Sequence, residues 1–307
     1  MAIERKVLVV QFTHPGAEHT ISLQEKKTGV KQWNYSSHRR KFLRTDGQYI
    51  LEEGTLSAKQ TLLFWGEWEP ASKFKKIDDV IGQGIVPVYV HEPFVERDND
   101  GLVLPPLSIK IHNKDKKRQN TDPFVFGECF LYSCCKQRRK NMVDITQIGM
   151  LEKGSIILFG STISSKWGSP YFVLDTVFVV GDYMAYYDNK ARSGLCGYVP
   201  QYYCDIMGYE DNANNDGRLF MCYKGATASN PVDSMFSFVP CRPCSGKVLG
   251  FPRVKLTQDD LWFISNNLNA APKYTHTDNP KQIWDNLCEI VKSQGFELGV
   301  NFEYTVL

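Results

Sequence analysis

Short apolar runs that end in turn signals fill most of the chain before residue 255, and they predict β-strands. Val7–Phe12 ends at His14-Pro15-Gly16, and Thr61–Trp65 ends at Gly66. Ile85–Val90 also predicts a strand, at a sheet edge because Pro87 lacks a backbone donor. Further short, aromatic-rich strands are predicted at Tyr198–Tyr203, Leu219–Tyr223 and Met235–Val239.

The most distinct local pattern is an apolar run on each side of a glycine- and serine-rich connection. Ser155–Phe159 and Tyr171–Val180 predict two antiparallel strands with a buried middle, joined by Gly160–Ser169. Ile145–Leu151, just before them, predicts a short helical turn.

Helical spacing occurs only near the C-terminus. Thr257 and Asp260 resemble a capping box before an apolar run that extends to Leu268. Asn279 and Pro280 begin a second helix that Gly295 ends. Strands followed by helices predict an α+β fold: a β-rich mixed or antiparallel core with C-terminal helices.

The expected organisation is one large domain over residues 1–307. The alternative is a division into an N-terminal β region (1–110), a β-rich region (120–255) and a C-terminal helical segment (256–307). The charged, proline-containing stretch Asp98–Asn120 is the candidate boundary.

Composition predicts a folded chain: 42% of its 307 residues are hydrophobic, 23% are charged, and the net charge is +2. Nine cysteines, an odd number, with no secretory signal predict reduced thiols and a cytoplasmic location. No segment is apolar and long enough to predict a membrane span. The sequence indicates neither the oligomeric state nor a cofactor.

Several motif-defined enzyme classes are excluded. The sequence has no phosphate-binding loop, no dinucleotide-binding glycine fingerprint and no nucleophile elbow.

The first candidate site is the turn that contains His14, Glu18 and His19. Two imidazoles and a carboxylate after a strand are suited to proton transfer or to binding a phosphate. A metal site is a less favoured hypothesis, and a polar turn with local hydrogen bonds is the plain alternative.

A basic run follows at His38, Arg39, Arg40 and Lys41. Guanidinium groups beside aromatic rings are suited to phosphate or nucleic acid. The alternative is a solvated basic turn.

Glu67 and Glu69 lie among Trp65 and Trp68. Strand alternation places both carboxylates on one face, where desolvation can prepare them for acid and base catalysis. Alternatively, they are exposed charges that pair with the Arg39–Lys41 run.

The stretch from Asn120 to Lys140 holds the turn residue Asp122 and a basic run containing Lys136, Gln137 and Arg138. The sequence predicts ligand or phosphate contacts here. A cysteine beside these cations would have a depressed pKa and is a weaker candidate nucleophile.

Two further features are ambiguous. Asp175 interrupts an apolar strand, so it either faces solvent or is paired, and it is a candidate catalytic carboxylate. The pair Cys241 and Cys244 lacks an obvious second ligand pair, so inert thiols are favoured over a zinc site.

The segment Leu151–Phe159, followed by Tyr171–Val180, resembles part of a PUA-like β-barrel. Gly154-Ser155 stands where that superfamily usually has Gly-Asp. The resemblance covers about thirty residues (151–180). It implies a hairpin that helps to frame a pocket for a nucleic-acid base, often a modified one.

Three functions follow as hypotheses. The first is an enzyme that acts on a nucleotide or nucleic acid, as a hydrolase or group transferase, through the N-terminal histidines, arginines and glutamates. The second is a non-catalytic PUA-like module that binds modified nucleic acid. The third is a protein-interaction scaffold.

Overall fold

Strands dominate the computed structural model, which describes residues 5–34, 38–97, 103–104, 119–139, 144–165, 168–213, 216–267 and 271–307. The strands in the first half of the chain are β1 (Leu8–Thr13), β2 (Val30–Lys31), β3 (Lys41–Ile50), β4 (Gln60–Gly66), β5 (Ser72–Lys76), β6 (Asp79–Val80), β7 (Tyr89–Arg97), β8 (Val103–Leu104) and β9 (Leu131–Tyr132). Those in the second half are β10 (Ile156–Ser165), β11 (Gly168–Tyr187), β12 (Leu219–Gly225), β13 (Val239–Pro243), β14 (Leu249–Gly250), β15 (Val254–Leu256), β16 (Lys273–His276), β17 (Glu297–Phe302) and β18 (Thr305–Val306).

Helices are short except for the last one. They are α1 (Leu23–Thr28), a 3₁₀ turn (Gln147–Met150), α2 (Ala191–Leu195), α3 (Gln201–Met207) and α4 (Pro280–Ser293). The predicted β-rich α+β class is therefore confirmed. No helix in the described ranges combines the length and the apolar character that crossing a membrane requires.

Two large sheets carry the fold. The first has the order β16-β1-β10-β11-β12-β9, and it is mixed because β1 is parallel to β10 but antiparallel to β16. The second has the order β17-β13-β4-β3-β7-β5-β2. Because β17 also pairs with β3, strands β3, β4, β13 and β17 close into a small barrel. Strands from both ends of the chain thus share each sheet.

Central strands are buried on both faces, which explains why they are continuous apolar runs rather than alternating ones. In β4, Leu62 and Phe64 pack into one hydrophobic cluster, while Leu63 and Trp65 pack into the other. Strand β10 divides its side chains between the same two clusters. Polar groups that enter this core must therefore find partners inside the protein.

The predicted strand pair at 155–180 is confirmed as β10 and β11, which are antiparallel. The predicted connection Gly160–Ser169 was largely wrong, because both strands continue into it, with Ile163 opposite Tyr171. Ser161, Thr162 and Ile163 can continue the ladder because they need no turn geometry.

One of the two predicted C-terminal helices forms. Helix α4 begins at Pro280, and the Asn279 side chain accepts a hydrogen bond from Gln282 N. The helix predicted after Thr257 was wrong: the described residues there form turns, although the Thr257–Asp260 capping contacts are present. Gln11 binds both the N–H and the C=O of Ser265, at 2.8 Å each, so this backbone is used in a tertiary contact.

Two other element predictions were wrong. The chain before Tyr89 turns through Gly82 and Gly84, both at positive φ, so β7 begins only at Tyr89. The predicted strand Tyr198–Tyr203 is replaced by α3, which starts after Pro200 and buries Tyr203 and Ile206. Most of the predicted boundary Asp98–Asn120 lies outside the described residues, as does Lys140 of the basic run.

Candidate functional site

His14 follows β1 directly and is buried. Its backbone N–H donates to Gly160 O at 2.7 Å, which extends the β1–β10 ladder by one residue. This contact directs the imidazole inward, where Nδ1 lies 2.9 Å from Glu67 Oε1. The Phe12 ring lies at its edge, with the centroids 4.5 Å apart.

Glu67 lies just beyond β4 and joins His14 to Arg40. Arg40 Nη1 donates to Glu67 Oε1 at 2.7 Å, and Arg40 Nε lies 3.2 Å from Asp175 Oδ2. Arg253 Nη1 lies 3.5 Å from the other oxygen of Asp175. We call His14, Arg40, Glu67, Asp175 and Arg253 the charged network. Each member is at most 5% exposed.

Asp175 reaches the network because β11 bulges there. The β10–β11 register shifts between Phe159 opposite Thr176 and Gly160 opposite Leu174, so Asp175 has no partner residue on β10. A bulge turns a side chain away from strict alternation. Gly160 makes this possible, since a Cβ at this position would clash with Val173 O. The alternative that Asp175 faces solvent is wrong, because it is 3% exposed.

Glu69, two residues after Glu67, is buried with a second set of cations. Lys41 Nζ donates to Glu69 Oε1 at 2.9 Å, and His38 Nδ1 lies 3.5 Å from the same oxygen. Lys31 Nζ donates to three backbone carbonyls, including that of Glu69. The alternative that Glu67 and Glu69 are exposed strand-end charges is wrong, but their predicted pairing with the Arg39–Lys41 run is present.

Glu18 and His19 are not part of the charged network. Both carboxylate oxygens of Glu18 accept N–H bonds from Val88 and one also from Tyr89, at 2.9–3.0 Å. His19 Nε2 lies 3.4 Å from Glu25 Oε1, beside the first turn of α1. The six-residue turn therefore separates its histidines, and only His14 enters the core.

Asp122 connects the charged network to a second polar region. Its backbone N–H lies 3.2 Å from Glu67 Oε2. Its carboxylate accepts backbone N–H bonds from Ser133, Cys134 and Cys135 at 2.9–3.0 Å. Asp122 is fully buried, and it holds the Ser133–Cys135 loop in place.

The predicted basic run is tied to the protein backbone. Lys136 Nζ donates to Thr13 O, next to His14, and Arg138 donates to Leu219 O through Nε and Nη2. Gln137 is 1% exposed, and its amide both donates to Met221 O and accepts from Met221 N. Arg39 is half-buried at the start of β3.

Burial and pairing set the protonation states of the network. Burial lowers the pKa of His14 to about 4, although Glu67 opposes the shift, so the imidazole is neutral at pH 7. Burial alone would raise the pKa of Glu67, but Arg40 and His14 outweigh it and hold the pKa below its ordinary value. Burial raises the pKa of Asp175 despite Arg253 and Arg40.

The thiols of Cys134 and Cys135 have raised pKa values. For Cys134, burial and the Asp122 carboxylate outweigh its contact with Cys135. For Cys135, the hydrogen bond to Cys134 and burial both raise the pKa. The prediction of an activated cysteine beside the basic run was therefore wrong, because these thiols stay protonated at neutral pH.

Two groups within the described ranges have the donor types of a metal site. The ligand atoms of His38, Glu67 and Glu69 lie within 4.8 Å of one another, and so do those of Asp122, Cys134 and Cys135. In the first group, Arg40 and Lys41 already neutralise the carboxylates. In the second, the Asp122 oxygens already accept backbone donors. Both arrangements are better suited to ion pairing and loop support than to a cation. Neither includes Cys241 or Cys244.

A cavity of about 410 Å³ adjoins the Ser133–Cys135 loop at Cys134. We call it the aromatic cavity. Its lining combines three rings with amides, carboxylates, a guanidinium and a thiol; it is formed by Asn120, Cys134, Tyr186, Asp188, Ala191, Gly208, Tyr209, Glu210, Asn212, Arg218 and Phe220.

Sequence reasoning missed Arg253, Lys31 and this cavity. Arg253 stands alone in the apolar stretch Phe251–Val254, a signal that a buried cation needs a buried anion. Lys31 gives no such signal, since it lies between Val30 and the polar Gln32 and not in an apolar stretch. The cavity is assembled from residues 120 to 220, which local patterns cannot bring together.

Comparison of the chain with protein-family profiles, curated protein sequences and solved structures gives no match.

Proposed function

We propose that the protein is an enzyme that acts on a nucleotide or nucleic acid, as a hydrolase or group transferase, with His14 as the group that transfers protons. One observation carries the proposal: His14 Nδ1 and Arg40 Nη1 converge on the same oxygen of Glu67, at 2.9 Å and 2.7 Å. The Glu67 carboxylate beside Nδ1 favours the tautomer that carries its proton there, which leaves Nε2 as a proton acceptor.

The protonation state supports this role. A pKa of about 4 keeps His14 neutral at pH 7, so the ring can accept a proton, as a weaker base than a histidine in water. Glu67 stays ionised and stabilises the imidazolium that forms. Asp175 orients Arg40 from the opposite side, so that the guanidinium is held between two carboxylates.

Cations near His14 support an anionic substrate. His38 stacks 6.2 Å from His14, and Glu69 and Glu67 raise its pKa against the effect of burial. Lys136 Nζ contacts Thr13 at the end of β1, next to His14, and the half-buried Arg39 precedes β3. Such groups bind phosphate through charge-assisted hydrogen bonds.

The test is turnover by the purified chain of a panel of nucleotides and of single- and double-stranded DNA and RNA, followed by separation of the products. His14→Gln removes the proton acceptor and should lower turnover about 100-fold or more. His19→Gln is the matched control, because it alters a histidine of the same turn outside the network. If every substrate stays unchanged, or if both variants turn over alike, the proposal is rejected.

A second candidate is a non-catalytic module that binds modified nucleic acid, and the aromatic cavity favours it. The isosteric Glu67→Gln change separates the two functions. An enzyme of the proposed kind should lose turnover, whereas a binding module should keep its affinity. His14→Gln repeats the comparison at a neutral residue in case Glu67→Gln lowers stability.

A further inference from the structure

The aromatic cavity has rigid ring walls. Tyr186 OH donates to Ser133 O at 2.9 Å, Tyr209 OH lies 2.6 Å from Ser133 Oγ, and the two hydroxyls are 3.1 Å apart. Phe220 stacks on Tyr186 with ring centroids 5.9 Å apart and planes 28° apart. Because the hydroxyls are already bonded to protein, the tyrosines offer mainly their rings to a ligand, and in a fixed position.

The polar lining selects against a phosphate in this space. Asp188 and Glu210 supply two carboxylates and Arg218 one guanidinium, which is already paired with Asp216. The side-chain amides of Asn120 and Asn212 can each donate and accept. Rings together with acceptors and amides complement a planar heterocycle that has donors and acceptors along its edge.

The size of the cavity agrees with such a ligand. About 410 Å³ lies in the range of small-molecule sites, and the lining is divided between aromatic rings and polar side chains.

The cavity adjoins the charged network through one residue. Asp122 donates its N–H to Glu67 and accepts the N–H of Cys134, which lines the cavity. A ligand in the cavity would therefore lie against the loop that Asp122 attaches to the network.

We infer that the aromatic cavity binds a nucleobase, packed against the wall formed by Phe220, Tyr186 and Tyr209 and recognised at its edge by Asn120 and Glu210. The inference rests on the proposed function for taking the ligand to be a nucleotide. It goes further by assigning the base to a subsite separate from His14.

The experiment measures binding of free nucleosides, which carry no phosphate, to the full-length chain by calorimetry. We expect adenosine or cytidine to bind, and Phe220→Ala to weaken binding roughly tenfold or more. Tyr187→Ala is the matched control, because Tyr187 is the exposed neighbour of Tyr186 on β11. Glu210→Gln changes an exposed residue, and it should weaken binding of bases that carry an exocyclic amine more than binding of uridine.

Thiol protection gives an independent measurement. The nucleoside should slow alkylation of Cys134 but not of the exposed Cys196, as read by mass spectrometry of the peptides. If no nucleoside binds, the inference is overturned. It is also overturned if a nucleoside binds but neither Phe220→Ala nor Glu210→Gln changes its affinity and Cys134 is alkylated as fast as before. Nucleoside binding at the cavity without turnover of any substrate rejects the proposed enzyme but not the base subsite. Turnover with a base preference that neither Phe220→Ala nor Glu210→Gln changes rejects the base subsite but not the enzyme.

Discussion

Arg40 and Glu67 form a buried ion pair between the start of β3 and the end of β4, with Nη1 2.7 Å from Oε1. The two strands are antiparallel neighbours, and Lys41 lies opposite Gly66 in the register. Arg40 and Glu67 are the next residues beyond this last β3–β4 pair, so the pairing of the two strands places their charges side by side.

Removing one partner of this pair should destabilise the fold strongly. Arg40→Ala leaves Glu67 and Asp175 buried without their shared cation, so we expect a loss of about 3–5 kcal/mol in the free energy of unfolding. Urea denaturation measures it. Arg44→Ala, in the more exposed pair with Glu92, is the control and should cost about 1 kcal/mol or less. Equal losses for the two variants would contradict the buried pairing.

The stability should fall on acidification below pH 6.5. His14 has a folded pKa of about 4, below the ordinary value of 6.5, so the unfolded chain binds this proton first. The free energy of unfolding therefore decreases as the pH falls from 6.5 to 4, by at most about 1.4 kcal/mol per pH unit from this residue. His14→Gln should flatten that part of the curve, as measured by urea denaturation at several pH values. If His14→Gln leaves the slope of the free energy of unfolding against pH unchanged, other titrating groups cause the loss of stability.

Much of the fold follows from local patterns, but the site does so only in part. Continuous apolar runs predicted β1, β4 and β12, and the Asn279-Pro280 start predicted α4. The turns at 257–267 could not be predicted, because Gln11, from a strand more than 250 residues away, binds the Ser265 backbone. Similarly, the pairing of Arg40 with Asp175 depends on a β-bulge, which depends on a tertiary contact at Gly160.

Gln137 should be important for folding rather than for binding. Its amide makes two hydrogen bonds, of 2.7 Å and 2.8 Å, to the backbone of Met221 on β12. Gln137→Ala leaves a buried N–H and C=O unsatisfied, so we expect about 2–4 kcal/mol of destabilisation. Thermal unfolding measures the loss. Nucleoside affinity, measured at a temperature where the variant is folded, should stay within about twofold of that of the unsubstituted protein. A large drop in affinity at unchanged stability would support the predicted ligand role of Gln137.

Asp122 should control access to the two neighbouring thiols. Its carboxylate accepts three backbone N–H bonds from Ser133, Cys134 and Cys135, and Asp122→Ala removes all of them. The loop should loosen, so that Cys134 and Cys135 react faster with an alkylating reagent in the folded protein. Asp259→Ala, at an exposed position, is the control. Unchanged alkylation rates would show that the loop is held by other contacts.

The pH dependence of turnover should have one limb from His14 and one from Lys136. As an acceptor with a pKa of about 4, His14 is inactivated by protonation, so kcat/KM should fall below that pH. Burial lowers the pKa of Lys136 to about 8. Its ammonium group beside Thr13 can attract an anionic substrate only while it is protonated. We therefore expect kcat/KM to fall again above pH 8. Lys136→Arg keeps the charge at high pH, and the upper limb should move to higher pH while the lower limb stays. If Lys136→Arg does not move the upper limb, Lys136 does not bind the substrate. If the lower limb has an apparent pKa near 6.5, the reacting imidazole is one exposed to water and not His14.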